Sequence, residues 1–183
     1  MAPARPPIPA LVTLVLGGAR SGKSAYAERL VLEIGRPALY LATAEPGLDA
    51  EMGHRIAAHR DRRGPAWTTI EEPLELAAVL RREARADRPI LVDCLTLWLS
   101  NLMHAGRDVD AAAAELASVL GAMAGPVVLV SNEVGLGIVP DNALARAFRD
   151  HAGRLHQAIA AVAARVVFMI AGLPMIVKAP PEV

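Results

Sequence analysis

The chain has 183 residues, enough for one domain with a substantial core. Its 19 basic and 19 acidic residues balance, so no global field draws it to nucleic acid or to an anionic membrane. Hydrophobic residues make up 54% and aromatics only 3%, which predicts an aliphatic interior; the single cysteine, Cys94, excludes an intramolecular disulfide framework and fits a reducing cytoplasm.

Residues 1–10 are rich in Pro and Ala and predict a disordered extension. Arg5 ahead of an apolar run resembles a signal peptide only superficially. The run is short, and cleavage there would leave the following loop at a raw terminus. Residues 11–16 predict a strand and residues 24–34 a helix, with Gly17, Gly18, Ala19, Arg20, Ser21, Gly22, Lys23 and Ser24 between them. That spacing is the phosphate-binding loop G-x-x-x-x-G-K-S in its required strand–helix context. Glycines let successive N–H groups turn inward around phosphate oxygens at a helix N-terminus. Lys23 is predicted to reach the terminal phosphates and Ser24 to offer its hydroxyl to Mg²⁺.

Further along, residues 38–43 predict a buried strand and residues 49–63 a helix capped by Asp49. Residues 67–70 predict a short β segment, 74–86 a helix, and 89–93 a strand ending in Asp93. Helices are predicted over 95–103 and 109–123, a strand over 127–131, and a loop over 132–140. Asp141 is predicted to cap a long helix towards residue 164, and residues 165–171 to supply the last strand. The apolar stretch 166–177, interrupted by Gly172 and Pro174, is too short to span a bilayer as a helix. Strands that alternate with helices and read as continuous apolar runs predict an α/β fold, a mostly parallel central sheet with helices on both faces. One domain is predicted over residues 11–178, followed by a tail over 179–183. Ligands in such sheets bind beyond the carboxyl ends of the strands, where the glycine loop, Thr43, Asp93 and the 132–137 segment converge.

Asp93 can hold Mg²⁺ opposite Ser24, as a Walker-B carboxylate does, or cap the next helix. On the 49–63 helix, at about 100° per residue, Met52, Ile56, His59 and Arg63 fall within about 60° of one another, and His54 lies nearly opposite. Arg55 and Arg63 flank His59 and favour its neutral, nucleophilic form. A partly buried structural histidine is the alternative. Arg60, Arg62 and Arg63 can contact phosphate or form a solvated helix end. Glu71 and Glu72 can bond ribose or base, or cap a helix. Asn132 and Glu133 can face a substrate or close a turn. Cys94 reads as a buried small hydrophobe. His104, His151 and His156 show no metal-ligand spacing, and Arg146, Arg149 and Arg154 read as the polar face of the long helix.

The glycine loop, Tyr40-Leu41-Ala42-Thr43-Ala44, Glu51-Met52…Arg55-Ile56…His59, Trp67-Thr68-Thr69…Glu71 and Ser131-Asn132-Glu133-Val134-Gly135-Leu136-Gly137-Ile138-Val139-Pro140 together resemble the bifunctional adenosylcobinamide kinase/adenosylcobinamide-phosphate guanylyltransferase family. The resemblance covers about residues 11–178. It implies a P-loop fold and two reactions: phosphorylation of the aminopropanol hydroxyl of adenosylcobinamide from a nucleoside triphosphate, ATP or GTP, then transfer of GMP from GTP to adenosylcobinamide phosphate through a guanylylated histidine. By motif position that histidine is His59. The implied nucleotide contacts are the glycine loop, Ala42, Thr43, Ala44, Arg60, Asp61, Arg62, Arg63, Glu71 and Asp93, with Mg²⁺ on Ser24 and Asp93. A homotrimer in the cytoplasm is implied as well, with no membrane insertion. Attack at both the γ- and the α-phosphate needs a movable His59 helix or two nucleotide poses; Gly47, Gly53 and Gly64 permit hinge motion and favour the moving helix. A single-activity kinase of another small hydroxylated substrate and a nucleotide-binding regulatory module are the competing readings.

Overall fold

The computed structural model describes residues 12–34, 37–44 and 66–179. The predicted extension over 1–10, the 49–63 helix with His59, Arg60, Asp61, Arg62 and Arg63, and the end of the tail lie outside the described residues. In chain order the elements are β1 (Val12–Gly17), α1 (Lys23–Glu33), β2 (Ala38–Ala42), β3 (Trp67–Glu71), α2 (Leu76–Glu83), β4 (Ile90–Asp93), α3 (Leu95–His104), α4 (Val109–Gly121), β5 (Val127–Val130), α5 (Ala143–Val162), β6 (Arg165–Ile170) and β7 (Leu173–Lys178).

The strands form a seven-stranded sheet in the order β3-β2-β4-β5-β1-β6-β7. Every pairing is parallel except β6 with β7. Alternate residues supply the two faces, as the strand period of two requires. Leu14, Leu39, Leu41, Ile90, Val92, Val127 and Leu129 point into a large cluster under α2 to α5. Val15, Tyr40, Leu91, Val128, Val130, Val167 and Met169 point into a smaller cluster under α1. Strands buried on both faces read as unbroken apolar runs, which is why the sequence pattern identifies them.

Two expectations are corrected. Asn142, not Asp141, caps α5: its Oδ1 accepts from Ala145 N at 2.7 Å. The cap directly precedes the first helical residue, here Ala143, and Asp141 lies one residue too early; its carbonyl accepts instead from Arg146 at 2.7 Å. The sheet also does not end at residue 171. The backbone reverses there and returns as β7, through Ala171 (φ 51) and Gly172 (φ 82). Two consecutive positive φ values make the tight turn whose twist matches paired strands. Pro174 does not break β7, because an edge strand has one side with no ladder to donate to.

Candidate active site

The loop between β1 and α1 is a backbone device. Gly17 has φ 149, and a Cβ there would meet Met169 O at 2.6 Å and Ser21 Oγ at 2.8 Å. Gly22 has φ 94, and a Cβ would come within 3.3 Å of Gly172 Cα. Neither position tolerates a side chain without strain, so both glycines are required by conformation and by space. Gly172 N donates to Ser21 O at 3.0 Å, so the β6–β7 turn braces the loop from the side. Ala19 and Arg20 complete the bend, with Arg20 at φ 55, and Ser24 is half-buried in the first turn of α1.

Lys23 is buried, with Nζ donating to Gly18 O at 2.5 Å and to Ser21 Oγ at 3.4 Å. Burial holds its ammonium below the ordinary lysine range, partly offset by negative charge at Cys94 and Asp93. Burial also pushes the Cys94 thiol up, so near neutral pH it is uncharged and Asp93 is the effective counter-charge.

Asp93 ends β4 on the same face as Tyr40, whose hydroxyl donates to Asp93 Oδ2 at 2.6 Å. Trp67 meets the Tyr40 ring edge-on at 5.7 Å and fixes its direction. Only β5 separates β4 from β1, so Asp93 and the glycine loop lie about 10 Å apart across two strand spacings. A hydroxyl, one carboxylate and substrate phosphates are a donor set that Mg²⁺ accepts. Among the described residues no three His, Cys, Asp or Glu side chains group around a metal-sized position, so any cation here takes its remaining oxygens from substrate and water.

Thr43 is wholly buried and works inward: its hydroxyl donates to Cys94 O at 2.7 Å and accepts from Cys94 N at 2.9 Å, while Asn101 Nδ2 donates to Thr43 O at 2.8 Å. It ties the ends of β2 and β4 together, with Ala42 and Ala44 half-buried on either side. Glu71, exposed, ends β3 opposite Ala42. It is four strand spacings from β1, about 19 Å across the carboxyl edge of the sheet. Glu72 closes the turn before α2, its Oε1 accepting from Leu74 N at 2.9 Å and Glu75 N at 2.8 Å.

Sequence reasoning missed one cluster. His156, buried on α5, bonds Ser131 Oγ through Nε2 at 2.7 Å and faces Glu133 Oε2 from Nδ1 at 4.0 Å. Burial lowers its pKa, with Glu133 pulling the other way. The signal was available in the helical stripe Ala152, Leu155, His156, Ile159, all buried.

A glycine loop between the first strand and first helix of a parallel sheet, with a buried lysine inside it and a strand-end carboxylate two strands away, defines a P-loop nucleotide-binding protein. The fold agrees with that class: flagellar accessory protein FlaH from Methanocaldococcus jannaschii superposes with a TM-score of 0.53 over 95% of this chain and 80% of that one, at 15% identity. The family model described as "Cobinamide kinase / cobinamide phosphate guanyltransferase" matches residues 13–177, and the chain belongs to that CobU family. It is 55% identical to the bifunctional adenosylcobalamin biosynthesis protein CobP of Pseudomonas aeruginosa, over 92% of this chain and 98% of that protein. It is also 39% identical to the CobU protein of Escherichia coli and 38% identical to that of Salmonella typhimurium, each over 92% of this chain and all of the relative. The chain is thus a bifunctional enzyme of cobalamin synthesis, with kinase and guanylyltransferase activities. No helix among the described residues is long and apolar enough to cross a membrane.

Proposed function

We propose that residues 11–178 act as one domain that runs both reactions from a single triphosphate site, with His59 as the covalent carrier of GMP. In the kinase step the aminopropanol hydroxyl of adenosylcobinamide attacks the γ-phosphorus of ATP or GTP, its proton is lost, and the nucleoside diphosphate leaves. In the transfer step an imidazole nitrogen of His59 attacks the α-phosphorus of GTP, forming a P–N bond as the bond to pyrophosphate breaks. A phosphate oxygen of adenosylcobinamide phosphate then attacks the same phosphorus, the P–N bond breaks, and adenosylcobinamide-GDP forms.

The observation that carries this reading is the loop itself, with Lys23 buried against Gly18 and Ser21 and Asp93 two strands away. Lys23 and the N–H groups of residues 18 to 24 stabilise charge as the triphosphate is displaced. Mg²⁺, held by Ser24 and Asp93, would neutralise charge on the phosphates. Glu71, Ala42 and Ala44, and Arg60, Asp61, Arg62 and Arg63 belong to the nucleoside end of the same ligand; Thr43, wholly buried and bonded to Cys94 and Asn101, does not contact it but holds the ends of β2 and β4 beneath it.

The active form is proposed to be a cytoplasmic homotrimer. The apolar outer edge of the sheet supports association: Leu173, Met175, Ile176 and Val177 are each at least half exposed. The deciding experiment incubates the protein with GTP radiolabelled at the α-phosphate, followed by denaturing electrophoresis. Acid-labile, alkali-stable label that disappears in His59→Ala is expected. Substrate-dependent turnover of the triphosphate with no covalent label favours a single-activity kinase of another small hydroxylated substrate, and binding without turnover on any corrinoid favours a regulatory module.

A further inference from the structure

The Ser131–His156–Glu133 cluster lies where neither reaction has assigned it a task. A histidine buried to 7% exposure loses its hydration and must find partners inside the fold. Here the tautomer follows from those partners. Nε2 shares a hydrogen bond with the Ser131 hydroxyl at 2.7 Å, and Nδ1 faces the Glu133 carboxylate at 4.0 Å, an arrangement that suits the tautomer with its proton on Nδ1. Both partners belong to the turn that leaves β5. Ser131 N donates to Val15 O at 3.0 Å, and Glu133 N donates to Gly17 O at 2.9 Å, the first residue of the phosphate loop. Between them Asn132 donates from N and Nδ2 to Thr96 Oγ1, at 3.4 and 3.1 Å. The Glu133 carboxylate accepts from Gly135 N as well, which closes the turn; a Cβ on Gly135 would meet Glu133 Oε1 at 2.9 Å.

Sheet order gives this turn its meaning. β5 lies between β4, which ends in Asp93, and β1, which runs into the loop. A terminal phosphate held between Lys23 and Asp93 therefore sits over the end of β5. With the nucleoside end proposed above to lie near Glu71 on β3, the triphosphate runs from there past β4 to the end of β5. We propose that His156 is a positioning residue for the kinase step: by holding Ser131 and Glu133 it fixes the β5 turn, and Asn132 within it, beside the γ-phosphate, and it has no part in guanylylation at the α-phosphate. The inference rests on the two-reaction reading above and assigns the β5 turn to one of the two reactions.

The test compares wild type, Ser131→Ala/His156→Leu and His156→Gln in the full chain. The double variant removes Ser131 Oγ and the imidazole together, so neither is left buried and unpaired, and Glu133 keeps its bond from Gly135 N. Phosphoryl transfer to cobinamide is followed with γ-labelled GTP, and covalent guanylylation with α-labelled GTP. Thermal unfolding is followed alongside. The expected result is a loss of kcat for phosphorylation of about 10- to 100-fold, the size of effect a misplaced reacting group produces. The nucleotide KM and the guanylylation rate should stay within about twofold, the range left to a residue that touches neither group. His156→Gln, whose amide can accept from Ser131 and donate to Glu133, should recover most of the lost rate. If both reactions fall in parallel, or neither falls, His156 is a core residue and the inference is wrong. A double variant that does not fold, together with a His156→Gln variant that folds but loses both reactions equally, overturns it too. If the wild type itself phosphorylates no cobinamide, the two-reaction reading fails first and takes the inference with it.

Discussion

The middle of the sheet and its β6–β7 edge are built from similar aliphatic residues and do opposite things with them. In the middle, β2, β4, β5 and β1 bury side chains on both faces, and their carboxyl ends are cross-tied by Thr43 to Cys94, Asn101 to Thr43, Tyr40 to Asp93 and Glu133 to Gly17. At the edge, all six residues of β7 are exposed, and the strand end is fastened by Lys178 donating to Ala160 O and Ala161 O at the end of α5. Polar ties in a low-dielectric interior fix geometry, because an unmade bond there is costly. Apolar side chains left in water fix nothing within the chain but gain from being covered. The middle is thus organised for chemistry, while the edge leaves apolar surface that a proposed association would cover. At the site the edge meets the loop through the pairing of Gly17 with Met169 and the bond from Gly172 N to Ser21 O, and so braces the loop from the side.

The largest effect on the middle should come from Lys23→Ala. Removing a positioned donor to developing phosphate charge costs about 10²- to 10³-fold in rate, and here it should depress both reactions, read as kcat/KM for phosphorylation and as label incorporated. An intact rate would mean that the phosphates do not lie in this loop. The stability contrast is next. Leu39 is wholly buried in β2, so Leu39→Ala should cost about 2–5 kcal/mol by urea unfolding. Ile176→Ala, at a side chain 52% exposed, should cost under about 1 kcal/mol in dilute protein. Ile176→Lys should go further and shift the oligomer to a smaller species in sedimentation. If Ile176→Ala matches Leu39→Ala at low concentration, the edge is packed within the chain and the comparison collapses.

The same division governed what the sequence disclosed. The phosphate loop was legible because every part of it is local: eight consecutive residues between a strand and a helix. Central strands were legible from their unbroken apolar runs. β7 was not, because Gly172 and Pro174 read as interruptions, and only the pairing with β6 turns one into a hairpin turn and the other into an edge residue. Asp93 was named for its strand-end position, but its bond to Tyr40 depends on β2 lying beside β4, a contact 53 residues apart in sequence. His156 has no metal-ligand spacing in the sequence, yet the helical periodicity that groups His59 with Ile56 and Arg63 also puts His156 on a stripe with Ala152, Leu155 and Ile159. Thr43 was named through resemblance as a nucleotide contact, while its hydroxyl is turned towards Cys94, a direction no linear pattern encodes.

A smaller effect concerns protonation in the middle. Burial depresses the pKa of His156 in the folded chain, with Glu133 opposing. As pH falls through the ordinary imidazole range, near 6.5, the unfolded chain takes up that proton before the native one does. Stability associated with His156 is therefore complete above that range and is lost as pH falls towards the lowered native value. Urea midpoints measured at about pH 7.5 and about pH 5.5 should drop more in wild type than in His156→Gln, which cannot titrate. Equal drops would mean that His156 titrates alike in both states.

The smallest effect belongs to the edge. Ala171 occupies the left-handed region, φ 51, at the first position of the β6–β7 turn, where an L side chain is disfavoured by about 1–2 kcal/mol and glycine is not. Ala171→Gly removes that strain but gives the unfolded chain more freedom, worth about 0.5–1 kcal/mol in the other direction. The net gain should be below about 1 kcal/mol, a rise of a few degrees in Tm at most. It should leave the kinase and guanylylation rates alone, since the bond that braces the loop comes from Gly172 and is unaltered. A loss of either rate would show that the edge does more than brace the loop, and that the stiffness of this turn reaches the phosphates through Ser21.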